Sequence, residues 1–316
     1  MVQRNKSTKQ TIPAVLNEYL NNLKVQIKPS SYSTYEGYLR KHITPYFKEL
    51  TCEDISPDLM QSFADKHINS GLSAKTVDTV LIFLKKGLGS MFPRGITVSL
   101  PRYSTSEPEM LSREEQVALE MVAQANPADN LAIKLCLYTG IKLGELCGLK
   151  WRDMDFKTGL MHIRRTAQRI KADEGDDGSP KTTLAILAVN PSARRSIPLA
   201  RPLLNMLKEQ ERSGEYVLGA KQGGIPESRT IQHRFKNLLE EAGIRPLPFH
   251  ATRNTFGARA LEKGFDLKSL SEVLGHSSVL VTLKRYGPLL ELESSRHMDM
   301  EAIADFNHYS YVQDSS

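Results

Sequence analysis

The chain has 316 residues and a net charge of +6, and its positive excess lies in the first third: residues 1–104 hold 14 Lys/Arg against 8 Asp/Glu, while the rest balances at 28 against 28. This length accommodates two domains with cores of their own, and a small basic domain suits a polyanionic partner, most often nucleic acid. No apolar run is long enough to span a bilayer, and the opening M-V-Q-R-N-K-S-T-K-Q lacks the apolar centre of a signal peptide; Cys52, Cys136 and Cys147, without C-x-x-C spacing, argue for reduced thiols and against a zinc site.

Residues 1–11 are polar and read as a flexible N-terminus. Helical spacing begins at Ile12 and continues through Val15, Leu16, Tyr19, Leu20 and Leu23. A second helix follows Pro29, with Tyr35, Tyr38, Leu39 and Ile43 on one side. A third starts at Ser56, with Pro57 in the first turn, where no amide hydrogen is needed, and carries Leu59, Met60 and Phe63. Gly71 breaks the chain. A fourth runs from about Ser73 with Val77, Val80, Leu81, Leu84 and Leu88 at helical period. Residues 12–92 are therefore expected to form a helical domain.

Residues 93–111, with Pro93, Gly95, Pro101 and Pro108, read as a linker. A capping box of Ser112 and Glu115 opens the second domain, helical to about Leu149. Strand-like runs then occupy Leu160–Thr166, Thr183–Val189 and Ser196–Leu199. Helices return after Pro202, at 230–242, 252–263, 267–274 and 279–292. The expected fold is mainly α with a small antiparallel β-sheet. The polar tail, 291–316, carries the apolar residues Met298, Met300, Ile303, Phe306, Tyr309 and Tyr311.

Three polar clusters interrupt this pattern: T-G-I-K-L-G-E-L at 139–146, H-A-T-R at 250–253 and L-G-H-S-S-V-L-V-T-L-K-R-Y at 274–286. Breaking a phosphodiester without a metal needs an in-line nucleophile, cationic donors for the non-bridging oxygens and an acid for the leaving oxygen. Tyr286, behind Lys284 and Arg285, is a candidate nucleophile, and a phosphotyrosine conserves the ester so that rejoining needs no ATP. His276 follows Gly275, where a left-handed turn aims it away from its helix. His250 and Arg253 share one face of a helix's first turn, where the dipole and free amides favour an anion and the arginine fork suits two phosphate oxygens. Lys142 and Glu145, also three apart, are placed for an ion pair that orients the lysine. No phosphate-loop, dinucleotide or metal-ligand pattern appears, so no cofactor and no metal are expected; Asp153 and Asp155, after Trp151, read as the turn into the first strand.

In this order the clusters resemble the tyrosine recombinase (phage integrase) family. The spacing L-G-H-x(9)-Y singles out Tyr286, and L-G-H-S-S-x-x-V-T-L-x-R-Y-G is most like the integrases of conjugative transposons. The resemblance implies a core-type DNA-binding domain at 12–92 and a catalytic domain at 112–290, closing as a C-shaped clamp on duplex DNA. It implies a site-specific recombinase that cuts and rejoins attachment sites through a 3′-phosphotyrosine and inserts and excises a mobile element. Four protomers would act on two synapsed duplexes through a Holliday junction, with the tail 291–316 docking on a neighbour and accessory excision or DNA-bending proteins as partners. The expected location is the cytoplasm, at the nucleoid, with no membrane partner. Relatives often begin with a further domain for arm-type DNA sites, so the chain is expected to be a truncated form.

Within that family the leaving-group acid is a lysine in a P-K-T-like turn ahead of an R-x-I-P-L-like strand. This assigns the acid to Lys181, with Lys171 as the alternative, in a hairpin longer than usual because T-T-L-A-I-L-A-V-N-P-S-A intervenes. The chain departs from the family at Lys142, where members carry one of the two arginines that bind the scissile phosphate. Lysine keeps the charge and loses the two-pronged fork, so DNA binding is expected to survive and cleavage to slow. Two other readings stay open: a non-catalytic DNA-binding relative, and a nicking-closing enzyme like type IB topoisomerases.

Overall fold

The computed structural model describes residues 10–103, 107–171, 182–212, 214–219 and 224–290. The chain divides into two compact units, Met1–Ser106 with Arg169–Thr183, and Glu107–Gln168 with Leu184–Ser316. Among the described residues no helix is long and apolar enough to cross a membrane.

The first unit contains α1 (Ile12–Leu23), α2 (Pro29–Tyr38), a short α3 (Thr44–Phe47), α4 (Pro57–Asn69) and α5 (Ala74–Leu88). Proline in the first turn opens α1, α2 and α4, and the Ser56 and Ser73 hydroxyls accept the Leu59 and Thr76 amides to cap α4 and α5. The second helix does not run smoothly to Ile43. Its last part, Leu39–Ile43, widens into a π-helical turn just before Pro45, which has no amide to continue the ladder. Ile12, Leu16, Ile43, Phe47, Met60, Phe63 and Leu84, all fully buried, form the centre of this unit. Aromatic edges meet there: Tyr46 stands at 82° to Phe63 with centroids 5.0 Å apart, and Phe47 lies 5.1 Å from Phe63.

The second unit opens with α6 (Arg113–Ala123), α7 (Pro127–Thr139) and α8 (Leu143–Cys147). The Ser112–Glu115 capping box forms as expected, with Ser112 N to Glu115 Oε2 at 2.8 Å and Glu115 N to Ser112 Oγ at 3.1 Å. The helical stretch splits because Asn126 caps α7 and Gly140 ends it. Then follow β1 (Met154–Asp155), β2 (Leu160–Ile163), β3 (Arg165–Lys171), β4 (Thr182–Ala188) and β5 (Arg195–Pro198). β1, β2 and β5 form an antiparallel sheet in the order β1-β2-β5, and β3 pairs with β4 in a second sheet. The single run read from Leu160 to Thr166 is two strands, parted at Arg164, whose carbonyl accepts the Val189 amide at 3.1 Å. Asp155 Oδ1 accepts the Lys157 and Thr158 amides at 2.9 and 3.1 Å in the β1–β2 turn, and buried Asp153 pairs with Arg165 at 2.5 Å, so both carboxylates are structural. Among the described residues no cluster of His, Cys, Asp and Glu is placed to hold a metal.

Helices α9 (Arg201–Glu209), α10 (Ser228–Glu241), α11 (Ala251–Glu262) and α12 (Leu267–Leu274) complete the unit with α13, residues 279–290. α7 is the central helix, with Leu131, Ala132, Ile133, Leu135, Cys136 and Leu137 all buried, and it packs against α6, α9, α10 and α11. Met161, Ile163 and Ile197 face the same core from the first sheet, which fixes where Arg195 enters the unit.

Replacing Phe63 with alanine removes a ring at the junction of the Tyr46 and Phe47 edges. Phe63→Ala is expected to cost about 3–5 kcal/mol in urea unfolding, and a loss below about 1 kcal/mol contradicts this packing account.

Candidate active site

α7 stops at Gly140 in the left-handed region (φ 61°, ψ 21°), and a Cβ there would lie 2.5 Å from Phe256 Cδ1 and 2.7 Å from Leu274 Cδ2. Only glycine satisfies both the turn and the close approach. Two residues later Lys142 is the N-cap of α8, with its amide donating to Glu145 Oε2 at 3.1 Å. Lys142 Nζ lies 3.7 Å from Glu145 Oε1, so the expected pair forms, but Lys142 is 42% exposed and Glu145 only 4%. The stronger partner of Glu145 is Arg195, unassigned by sequence reasoning: Nη1 donates to Oε1 at 3.1 Å and Nη2 to Oε2 at 2.8 Å. A planar fork matches both carboxylate oxygens, which a point charge on a flexible stem does not. Burial pushes the Glu145 carboxyl up, but the hydrogen bonds and charge of Arg195, with Lys142, outweigh it and hold the pKa below the usual carboxylate range.

Arg195 also donates from Nε to Val273 O at 2.6 Å. Its guanidinium lies beneath Gly275, where a Cβ would be 2.9 Å from Arg195 Nη1. Gly275 caps α12 in the left-handed conformation (φ 64°, ψ 47°), as the sequence implied, and turns the chain to His276.

His250 and Arg253 sit at the N-cap and in the first turn of α11. Arg253 is 3% exposed, and its fork already holds backbone: Nη1 donates to Gly140 O and Nη2 to Leu274 O, the latter at 2.6 Å. One guanidinium thus ties the end of α7 and the end of α12 to α11. Burial, followed by the neighbouring Arg195 charge, lowers Arg253 to about 10, which still leaves it cationic at neutral pH.

Both histidines are held near pKa 4. Partial burial is the first cause for each; Arg285, Arg253 and Lys142 add to it for His250, and Arg253, Lys142, Arg285 and Arg195 for His276. His276 Nδ1 lies 2.8 Å from Thr282 Oγ1. Tyr286, on α13, is fully buried, with its hydroxyl beside the Arg285 side chain. Its ring packs on Gly257, where a Cβ would come 2.6 Å from the tyrosine oxygen. Burial raises the Tyr286 pKa, and Arg253 and Arg285 oppose that rise.

A pocket of about 210 Å³ is lined by Ile141, Lys142, Phe249, His250, Thr252 and Arg253, among others. The structure therefore brings Lys142, His250 and Arg253 to one cavity, whereas Tyr286 is enclosed on the inner side of α13. Arg285 is steadied from Nε by Asn254 Oδ1 at 2.9 Å, and Asn254 Nδ2 donates to Glu109 O at 2.7 Å. Lys181 lies outside the described residues, and Lys171 ends β3. Arg195 was not assigned because a basic residue in a short strand ordinarily faces solvent; its alternation with buried Ile197 is the signal that placed it inward.

Residues 110–291 match the phage integrase family, and residues 11–68 match the phage integrase N-terminal SAM-like domain. The chain belongs to the phage integrase family. Its curated relatives include tyrosine recombinases and an integrase. It is 25% identical over 290 residues to a XerC-like tyrosine recombinase of Caldanaerobacter subterraneus subsp. tengcongensis, covering 82% of this chain and 74% of that protein. It is 23% identical over 305 residues to the ICEBs1 integrase of Bacillus subtilis, covering 90% and 80%. The fold matches that of the Tn1549 transposon integrase in complex with a circular intermediate DNA, with TM-score 0.74 and 19% identity over 88% of this chain and 95% of that one. It also matches a lambda integrase tetramer bound to a Holliday junction, with TM-score 0.62 and 21% identity over 86% and 76%.

Arg195→Met leaves Glu145 buried without its fork, and is expected to cost about 3–5 kcal/mol in urea unfolding; a neutral substitution contradicts the clamp. The depressed histidines carry a pH signature. Above pH 6.5 each is neutral in both states and no penalty exists; as pH falls toward 4 the unfolded chain takes the proton first and the fold loses stability. His276→Asn removes one such site, so its stability relative to the parent should rise between pH 6.5 and pH 4. A stability difference independent of pH across that range contradicts the depressed value.

Proposed function

We propose that the chain is a site-specific DNA recombinase that cuts and rejoins duplex attachment sites through a 3′-phosphotyrosine, inserting and excising a mobile element. The observation that carries this reading is the convergence of Lys142, His250 and Arg253 on one pocket, with His276 on the adjoining turn and Tyr286 on the next helix. A phosphate entering there meets two cations. It also meets imidazoles that are neutral at pH 7 and donate one N–H each without adding charge. Tyr286 is the nucleophile, Lys181 the leaving-group acid, and Glu145 holds the Lys142 turn through Arg195.

Tyr286 must leave its seat on Gly257 to attack, which requires α13 to shift. Residues 12–92 supply core-type DNA binding, 93–111 the linker and 112–290 the catalytic domain. The tail 291–316 lies outside the described residues; in this reading it docks on a neighbouring protomer of a tetramer assembled on synapsed DNA, with excision or DNA-bending proteins as accessories. The setting is the cytoplasm, at the nucleoid. Lys142 makes this chain slow at cleavage, since one preorganised donor pair is absent. The same lysine, with the enclosed Tyr286, favours a second reading, a DNA-binding relative without strand cleavage.

A nicked suicide duplex, selected from a random-sequence pool by its binding to this chain, separates the two readings. Lys142→Arg is expected to raise the rate of covalent protein–DNA adduct by about 10²–10³-fold. Tyr286→Phe should abolish adduct in either background. Adduct persisting in Tyr286→Phe contradicts the nucleophile assignment, and none in Lys142→Arg supports the non-cleaving reading.

A further inference from the structure

We infer that Thr282 is a positioning residue that fixes His276 in the tautomer protonated on Nε2, so that the ring presents a hydrogen-bond donor from its free nitrogen. The inference rests on the reading of His276 as a phosphate contact and specifies how that contact is prepared.

Thr282 is fully buried, although its helical neighbours Val279, Leu280, Val281 and Leu283 are 40–64% exposed. A hydroxyl occupies the inward position where the apolar side chains are kept out. Among the described residues its hydroxyl has one hydrogen-bond partner, His276 Nδ1 at 2.8 Å. The usual acceptor for a threonine in a helix is the carbonyl four residues back. The hydroxyl makes no hydrogen bond to that group, Ser278 O, which accepts the Val281 amide at 3.1 Å.

A neutral imidazole offers one donor and one acceptor, and a hydroxyl can complement either. If Nδ1 carried the hydrogen, the threonine oxygen would accept and its own hydrogen would be buried without an acceptor. If Nδ1 is bare, the hydroxyl donates to it, and neither the threonine hydrogen nor Nδ1 is left without a partner. The second arrangement leaves the hydrogen on Nε2, which has no partner among the described residues. An imidazolium meets the same objection as the first arrangement, since it too needs a hydrogen on Nδ1. The low pKa of His276, caused first by burial and then by Arg253 and Lys142, agrees with a ring that stays neutral.

Thr282 and Tyr286 stand four residues apart on the inner face of α13, both fully buried. One helix face therefore sets the histidine tautomer and carries the tyrosine.

The test is the ¹⁵N chemical shift of the His276 ring in the full chain at neutral pH, with His276→Ala used to assign the signals. The parent is expected to show the Nε2–H pattern, Thr282→Val a mixture or the Nδ1–H pattern, and Thr282→Ser the parental pattern again. With the selected suicide duplex, adduct formation should fall by about 10-fold in Thr282→Val, the equivalent of one lost neutral hydrogen bond, and recover in Thr282→Ser. An Nδ1–H ring in the parent, or an unchanged Nε2–H ring in Thr282→Val, overturns the inference. So does a Thr282→Val adduct rate equal to the parent's when His276→Ala is slow. If His276→Ala reacts at the parental rate, the phosphate-contact reading fails, and the ring shifts still decide the role of Thr282.

Discussion

Two buried guanidiniums hold the second unit's site together, and they do so mostly by gripping backbone. Arg253 joins Gly140 O to Leu274 O, and Arg195 joins Val273 O to the Glu145 carboxylate. The segments they connect are 139–146, 250–253 and 273–276, whose apolar residues Ile141, Leu146, Ala251 and Val273 join one core while the guanidiniums fix their polar ends. Gly140 and Gly275 make the approach possible, because any side chain at either position would strike the neighbouring segment. Among the described residues Glu145 is the one buried carboxylate in this group, and without Arg195 it would be a charge stranded in a low dielectric.

The same construction sets the electrostatics. Lys142, Arg195, Arg253 and Arg285 crowd a region with a single buried carboxylate to neutralise them. Burial first, and these charges after it, hold the two histidines neutral and lower Arg253 to about 10. A site that holds positive charge at this density is prepared for an anion, and neutral imidazoles beside fixed cations provide directed donors at little further electrostatic cost. Tyr286 responds oppositely: it is seated on Gly257, desolvated, with its pKa raised. Among the described residues the structure thus gathers four cations and is closed around its tyrosine.

Much of this was legible in the sequence because the signals were local. Helical period, the first-turn Pro57, the Ser112–Glu115 box and the glycine cap at 275 each depend on residues a few positions apart, and each appears where expected. The π-helical turn before Pro45 and the break at Arg164 were not legible, because both depend on backbone pairing rather than on side-chain period. Arg195 was missed for the complementary reason. Its importance lies in reaching Glu145, Val273 and the underside of Gly275, contacts spread over many residues of sequence. The Lys142–Glu145 pair was visible at i,i+3 spacing, yet the nearer and better-matched partner of Glu145 came from β5.

The central claim is that cations from three distant segments and one tyrosine address a single DNA phosphorus. Its most direct test is a crystal structure of the chain on its selected duplex, trapped with vanadate in place of the scissile phosphate. The account predicts vanadate oxygens within hydrogen-bond reach of Lys142, Arg253, His250 and His276, with the Tyr286 oxygen drawn out of its seat and in line with the vanadium. Vanadate held by other residues, or a Tyr286 still packed on Gly257 with no other hydroxyl in line, would contradict it.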